Sequence, residues 1–294
     1  MRATSPLTGY LVLALAATLW STLGIVSRLI LESGVEPLEL SFWRASLAGA
    51  LFGAHALWRG KVRVARGDYP ALGGFAVMGV SVFYLSYLFA VRTGGAALAA
   101  LLLYTAPAWV AVASAIWLDE PVTRWKMAAL ALTLVGVACV ALGAGNAGAG
   151  VRSGPAAIGW GLLSGLAYAS YYLFGKTYFA RYEAPTLFMY VLPLGALVLL
   201  PGVHFSLKSG ATWGWILFVG VVPTYLALQL YEAGLKRVEA TRAVTIATLE
   251  PVIAAVLAYL VWGESWGPLG IAGAVLVLAG VLTMARARPA NPLS

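Results

Sequence analysis

Apolar residues run through this chain in long stretches, broken only briefly by polar, glycine or proline positions. A stretch of about 20 apolar residues is what a helix needs to cross a bilayer. Ten can be marked, at roughly 9–31, 37–58, 69–91, 95–118, 123–143, 156–179, 184–203, 211–233, 238–262 and 266–286. The breaks fall at Glu36-Pro37, Arg59 to Asp68, Gly94-Gly95, Asp119-Glu120-Pro121 and the glycine-rich segment from Gly143 to Pro155. That last segment lies mid-chain. The pattern predicts an all-α integral membrane protein of ten transmembrane helices: a five-helix unit over 1–143, a linker loop over 144–155, a second five-helix unit over 156–288 and a tail over 289–294.

The two units are related by sequence. A shift of 144 residues carries Pro107 onto Pro251, and with it Ala96 onto Ala240, Ala111 onto Ala255, Glu120 onto Glu264, Leu132 onto Leu276 and Gly136 onto Gly280. Each copy reads as an apolar helix with a central proline, a loop glutamate and a second apolar helix. The front parts align at a shift of 148, which pairs Trp20 with Tyr168, Arg28 with Lys176 and Pro37 with Pro185. Internal repeats in an apolar chain point to a transporter built from two related halves.

Composition agrees. Hydrophobic residues make up 61% of the 294 positions and charged ones 10%, with a mean hydropathy of +0.87, against about 45–50% and about 25% in a soluble domain. The 33 glycines suit close helix packing in lipid. The net charge of +8 comes from scattered residues that form no stripe, which excludes nucleic acid as a partner. Cys139 is alone and cannot form an internal disulfide. Residues 1–8 are too few, and the apolar stretch after them too long, for a signal peptide, so the first stretch reads as the first span.

Positive charge collects on the cytoplasmic side of membrane proteins. With the N-terminus inside, fourteen lysines and arginines fall on inner segments, among them Arg59, Lys61, Arg124, Lys126, Lys176, Lys236 and Arg242. Arg28, Arg92, Arg152 and Lys208 fall outside. Both termini are therefore expected in the cytoplasm. Because five helices per unit is an odd number, the second unit must enter from the opposite side, giving repeats of inverted topology. Such repeats have two near-equivalent packings, one open to each face, which is the basis of alternating access.

The repeated pattern, Tyr104-Thr105-Ala106-Pro107 to Asp119-Glu120-Pro121 and Leu249-Glu250-Pro251 to Gly263-Glu264, resembles the EamA-type members of the drug/metabolite transporter superfamily. The resemblance covers nearly the whole chain. Within the superfamily the chain is most similar to the bacterial exporters of aromatic amino acids. The resemblance implies a multi-pass protein of the bacterial inner membrane that exports amino acids, aromatic ones favoured, through a central cavity, with the lipid bilayer and a small-molecule substrate as its partners. Broader carriers of aliphatic amino acids or drugs are the alternative, and a non-transport receptor a further one. No cofactor or metal is implied. A membrane enzyme would need a catalytic constellation, and neither His55 and His204, in different halves, nor any cysteine cluster supplies one. One chain contains both halves, so a monomer suffices.

Glu250, inside a predicted span beside Pro251, is a functional candidate, because an ionisable residue there is costly. It could bind a substrate ammonium or relay a proton, or pair with Arg44 and brace the kink. Arg44, the one clearly intramembrane arginine, could meet a carboxylate or pair with Glu39. Trp20, Tyr84, Tyr104, Trp109, Tyr168 and Tyr171, with Tyr87 and Tyr172, lie deep enough to wall a cavity. Tyr225 and Gln229 share one face of the eighth stretch, and Thr245 and Thr248 form a stripe on the ninth. Thr105 adjoins the first central proline. Pro107 and Pro251 are candidate hinges. Glu120 and Glu264 are expected on opposite faces, each bracing the next helix of its own half. Trp58, Tyr69, Trp125, Trp213 and Trp215 fall near span ends, as interfacial anchors do.

Overall fold

A computed structural model describes residues 6–143, 154–263 and 267–286, and among them every regular element is helical. In order these are α1 (Pro6–Glu32), α2 (Pro37–Trp58), α3 (Tyr69–Phe75), α4 (Phe83–Gly94), α5 (Ala96–Leu103), α6 (Ala106–Trp117), α7 (Arg124–Gly143), α8 (Pro155–Tyr178), α9 (Ala184–Leu199), α10 (Gly210–Gly220), α11 (Ala227–Leu235), α12 (Ala240–Ala247), α13 (Leu249–Trp262) and α14 (Pro268–Arg286). Eight stretches are long and apolar enough to cross a membrane. The helices α2 and α8 are long enough, at 22 and 24 residues, but are not among those eight. They carry Glu39, Arg44 and His55, and Tyr168, Tyr171 and Tyr172, respectively. The predicted linker and tail, and Glu264, lie outside the described residues except at their margins.

Two predicted spans are each split in two, and proline is the reason. Its ring lacks an N–H and collides with the carbonyl four residues back. Pro107 therefore stops α5 at Leu103 and lets α6 restart at Ala106; Pro251 separates α12, which ends at Ala247, from α13. Two other predicted spans widen into π-helical turns, at Ala76–Val82 between α3 and α4 and at Val221–Leu226 between α10 and α11. In each, a hydroxyl satisfies a carbonyl five residues back: Ser81 Oγ donates to Ala76 O at 3.5 Å, and Thr224 Oγ1 to Val219 O at 2.8 Å. The loop positions Asp119 and Gly263, 144 residues apart, share a left-handed backbone, with φ of 52° and 67°. The irregularities thus recur in the same order along the chain.

The outward surface is apolar at Leu11, Val112, Ile116, Leu197, Leu260 and Leu282, as a lipid-facing surface requires. Trp58, Trp117 and Trp125 are exposed near helix ends, where tryptophan anchors in the interface. Trp213 packs edge-on to Trp43, with ring centroids 4.9 Å apart.

The helices α7 and α14 meet along small residues. A Cβ built on Gly273 would lie 2.5 Å from Val140 N, 2.6 Å from Gly136 O and 2.7 Å from Cys139 Cβ. Backbone cannot yield as a side chain can, so Gly273→Ala is expected to destabilise the protein by about 1–3 kcal/mol through overpacking. Gly159 in α8 has nothing within 4 Å of its Cβ position, so Gly159→Ala is expected to be neutral or to stabilise by about 0.5–1 kcal/mol. Thermal unfolding of the two variants in one detergent would compare them; equal melting temperatures would refute the close approach.

Candidate functional site

A cavity of about 1190 Å³ opens between the helices. Its mouth is formed where α1 ends and α2 begins, and where α4 ends and α5 begins, with Glu32, Pro37, Gly94 and Ala96 at the rim. Tyrosines form much of its wall. Tyr168, Tyr171 and Tyr172 project from one face of α8, at spacings of three and four; Tyr84 and Tyr87 come from α4, and Tyr231 from α11. Trp20 of α1 lies 5.8 Å from the Tyr231 ring. Tyr168 and Tyr172 are linked by their hydroxyls at 3.1 Å.

Two charged side chains enter this aromatic wall. Arg44 of α2 lies with its guanidinium 4.4 Å from the centre of the Tyr84 ring and donates to the Tyr84 hydroxyl. Its Nε is buried without a hydrogen-bond partner. Glu250, in the first turn of α13, lines the cavity together with Tyr104. Tyr104 is the residue on which α5 ends. The two proline-induced breaks thus meet at the cavity, one supplying a carboxylate and the other a tyrosine. Pro251 lines the cavity as well, whereas Pro107 is buried at the start of α6.

Of the predicted wall residues, Trp20, Tyr84, Tyr104, Tyr168, Tyr171 and Glu250 line the cavity, joined by Arg44. Six others do not. Thr105 and Thr248 turn their hydroxyls back to the carbonyls of Leu102 and Thr245, both at 2.6 Å; they satisfy acceptors at the breaks. Thr245 is buried and donates to Thr241 O at 2.8 Å. Trp109 is partly exposed and donates to Thr105 Oγ1. Tyr225 and Gln229 form a cluster with His55 Nδ1, at 2.8 and 3.0 Å, and Gln229 and His55 line a smaller pocket of about 280 Å³. Tyr231 escaped the sequence analysis. Its spacing from Leu228 on the same face was the available signal.

The far end of the cavity is closed by packed aromatics and a buried ionic cluster. Phe52, Phe188, Tyr172 and Tyr231 belong to the largest core, and Tyr231 donates to Tyr171 O at 2.7 Å. Beneath them Glu120 crosses from the α6–α7 loop to the start of α12, accepting from Ala240 N at 2.6 Å, Thr241 N at 3.2 Å and Thr241 Oγ1 at 2.8 Å. Glu120 reaches Lys126 of the helix that follows it, at 4.0 Å, but its hydrogen bonds go to α12, so it also caps a helix of the other half. Asp119, in its left-handed conformation, makes the turn that places Glu120 there; aspartate tolerates this region better than most residues. Lys126 lies 3.0 Å from Glu239, and Arg242 lies 2.7 Å from Glu239 and reaches Tyr10 of α1. Lys176 of α8 donates to Leu235 O and Val238 O at the end of α11. An anion thus sits at the N-terminus of α12 and a cation at the C-terminus of α11, each matched to the local helix dipole.

Burial pushes the Glu239 carboxyl up, but Arg242 and Lys126 outweigh it and hold it below the usual carboxylate range. A carboxyl depressed on folding contributes stability that is present above its ordinary pKa and lost as pH falls through the depressed one. The contribution of Glu239 is thus expected to be constant near neutrality and to fade below about pH 4.5. Melting curves of the wild type and Glu239→Gln should converge as the pH drops below that value; a constant separation would contradict the pairing.

Among the described residues no group of three or more histidines, cysteines or carboxylates could hold a metal ion. The family described as EamA-like transporters matches the chain twice, over residues 7–142 and 155–286. A transporter of Archaeoglobus fulgidus is 30% identical over 261 residues, covering 88% of this chain and 91% of its own. The inner membrane transporter YicL of Salmonella typhimurium is 26% identical over 93% of this chain and 94% of its own. A protein of Streptantibioticus cattleyicolor named "probable terminal-alkyne amino-acid exporter" is 26% identical over 93% and 92%. A solved crystal structure aligns with a TM-score of 0.82 at 20% identity, covering 95% of this chain and 96% of its own, and so shares the fold.

Proposed function

The chain belongs to the EamA-like transporter family, and on that premise we propose that it exports amino acids, aromatic ones favoured, across a bacterial-type inner membrane by alternating access. The observation that carries this reading is the cavity itself. A tyrosine wall suits an aromatic or amphipathic side chain by stacking and apolar burial, and a substrate with a charged head would find both an arginine and a carboxylate inside it. Sugar phosphates would require a cluster of cations, and the cavity wall offers Arg44 deep inside and Arg28 at the rim.

In this reading ten helices span the membrane as two five-helix repeats of inverted topology, with both termini cytoplasmic. The recurring order of π-widened helix, broken helix and left-handed loop supports the repeat. The closed end, rich in Lys126, Lys176, Lys236 and Arg242, is then cytoplasmic by its positive charge, and the cavity faces outward. Export requires the opposite packing, with the Glu120 cluster parted and the mouth closed. A monomer suffices, since one chain supplies every wall of the cavity.

A broader amino-acid carrier is the second reading, favoured by the relative whose name specifies an alkyne side chain. Uptake of labelled phenylalanine into proteoliposomes, with and without a pH gradient, distinguishes them. Saturable flux competed by tryptophan and tyrosine, and not by sugar phosphates, is expected. Flux of aliphatic amino acids without phenylalanine would replace the aromatic reading by the broader one, and absence of saturable flux for every amino acid would overturn both.

A further inference from the structure

Arg44 and Glu250 reach the same cavity from different helices, α2 and α13, and Arg44 is held by Tyr84. Arg44 turns its guanidinium to Tyr84 and forms no ion pair with Glu250. The Arg44 Nε remains a buried donor without an acceptor, an arrangement that costs free energy until an acceptor arrives. We propose that this pair reads the head group common to all α-amino acids, with Arg44 taking the carboxylate and Glu250 the ammonium, while the tyrosine wall takes the side chain. The assignment rests on the amino-acid reading above and adds which groups of the substrate are recognised, and by which residues.

The physical case is charge compensation in a site of low polarity. A monocation inside this cavity would satisfy Glu250 and leave Arg44 facing an added positive charge; a monoanion would do the reverse. A zwitterion offers each fixed charge its complement and adds no net charge to the cavity. The guanidinium fork suits a carboxylate with two parallel N–H donors, and Tyr84, beneath and hydrogen-bonded to it, fixes the plane in which the fork lies. Tyr104 lines the cavity with Glu250 at the break between α5 and α6. Tyr84 is thereby a positioning residue.

The test uses single-charge analogues in proteoliposomes of the full chain. Phenylalanine uptake is competed by phenethylamine, which has only the ammonium, and by 3-phenylpropionate, which has only the carboxylate. In the wild type each analogue is expected to compete roughly tenfold or more weakly than phenylalanine. Arg44→Gln should lower phenylalanine affinity by about the same factor while leaving phenethylamine competition unchanged, and Arg44→Lys should restore part of the loss. Glu250→Gln should give the mirror result, sparing 3-phenylpropionate. If phenylalanine is not carried, the same series is run on whichever amino acid is, with its own amine and acid. Wild-type affinity in both variants, or equal weakening of amino acid, amine and acid, would overturn the head-group assignment while leaving amino-acid transport standing. Absence of flux for every α-amino acid would overturn the assignment together with the reading beneath it.

Discussion

Replacing Glu120 with alanine is expected to open the closed end of the cavity. Its carboxylate accepts three hydrogen bonds at the start of α12 and lies 4.0 Å from the Lys126 ammonium. Without it, two N–H groups of a helix terminus lose their acceptor and a buried lysine keeps only Glu239. Breaking one partner out of a buried charged network costs about 3–5 kcal/mol. On the alternating-access reading these groups would meet water in a packing open to the cytoplasm, so the penalty would fall on the closed state alone. A shift of about 3 kcal/mol changes the ratio of the two states more than a hundredfold. With Cys139→Ala as background, a single cysteine at Leu103 in the cavity wall should become reactive to an impermeant thiol reagent from the cytoplasmic side. Unchanged sidedness of labelling in Glu120→Ala would remove Glu120 from the closure.

The second large effect is expected at the opposite end. Glu39 is fully buried in the first turn of α2 and is ion-paired with Lys208. It also accepts from Ser206 Oγ at 2.8 Å, Ser206 N at 3.2 Å and Trp43 Nε1 at 3.3 Å. The lysine ammonium lies 5.7 and 5.3 Å from the ring centres of Trp43 and Trp213. This cluster fastens the segment after α9 onto α2. Glu39→Met leaves the ammonium buried and uncompensated, so a loss of about 3–5 kcal/mol is expected, whereas Glu39→Met with Lys208→Met should recover most of it, since an apolar pair of similar volume is often neutral. Melting temperatures of the two single variants and the double variant close the cycle. Additive losses would mean that the pair does not act as a unit.

The sequence made the helices legible because apolar length is a local property, and the breaks legible because proline acts on its own helix. The intramembrane charges, Arg44 and Glu250, stood out for the same reason. What lay hidden was orientation and long-range partnership. Thr105, Thr245 and Thr248 could have faced the cavity by spacing alone, but a hydroxyl in a helix can return to a nearby carbonyl, and theirs do. Glu39, one of the partners open to Arg44 by proximity in sequence, is taken by Lys208, far along the chain. The partner of Glu120 is 120 residues away, beyond anything spacing reveals. Tyr231 went unnoticed because a tyrosine near a helix end reads equally well as an anchor.

The polar cargo of α2 and α8 bears on how the chain is made. Cavity-facing groups such as Arg44, Tyr168, Tyr171 and Tyr172 are what these two helices contribute to the site, and they are also why neither is among the stretches apolar enough to cross unaided. A nascent helix enters the bilayer according to its own partition energy, so these two are expected to enter only in company: α2 once α9 arrives to pack on it, and α8 against α4 and α5. The residues that would handle the substrate thus make biogenesis cooperative. Chains truncated before α9 should leave α2 accessible to glycosylation or protease where the longer chain does not.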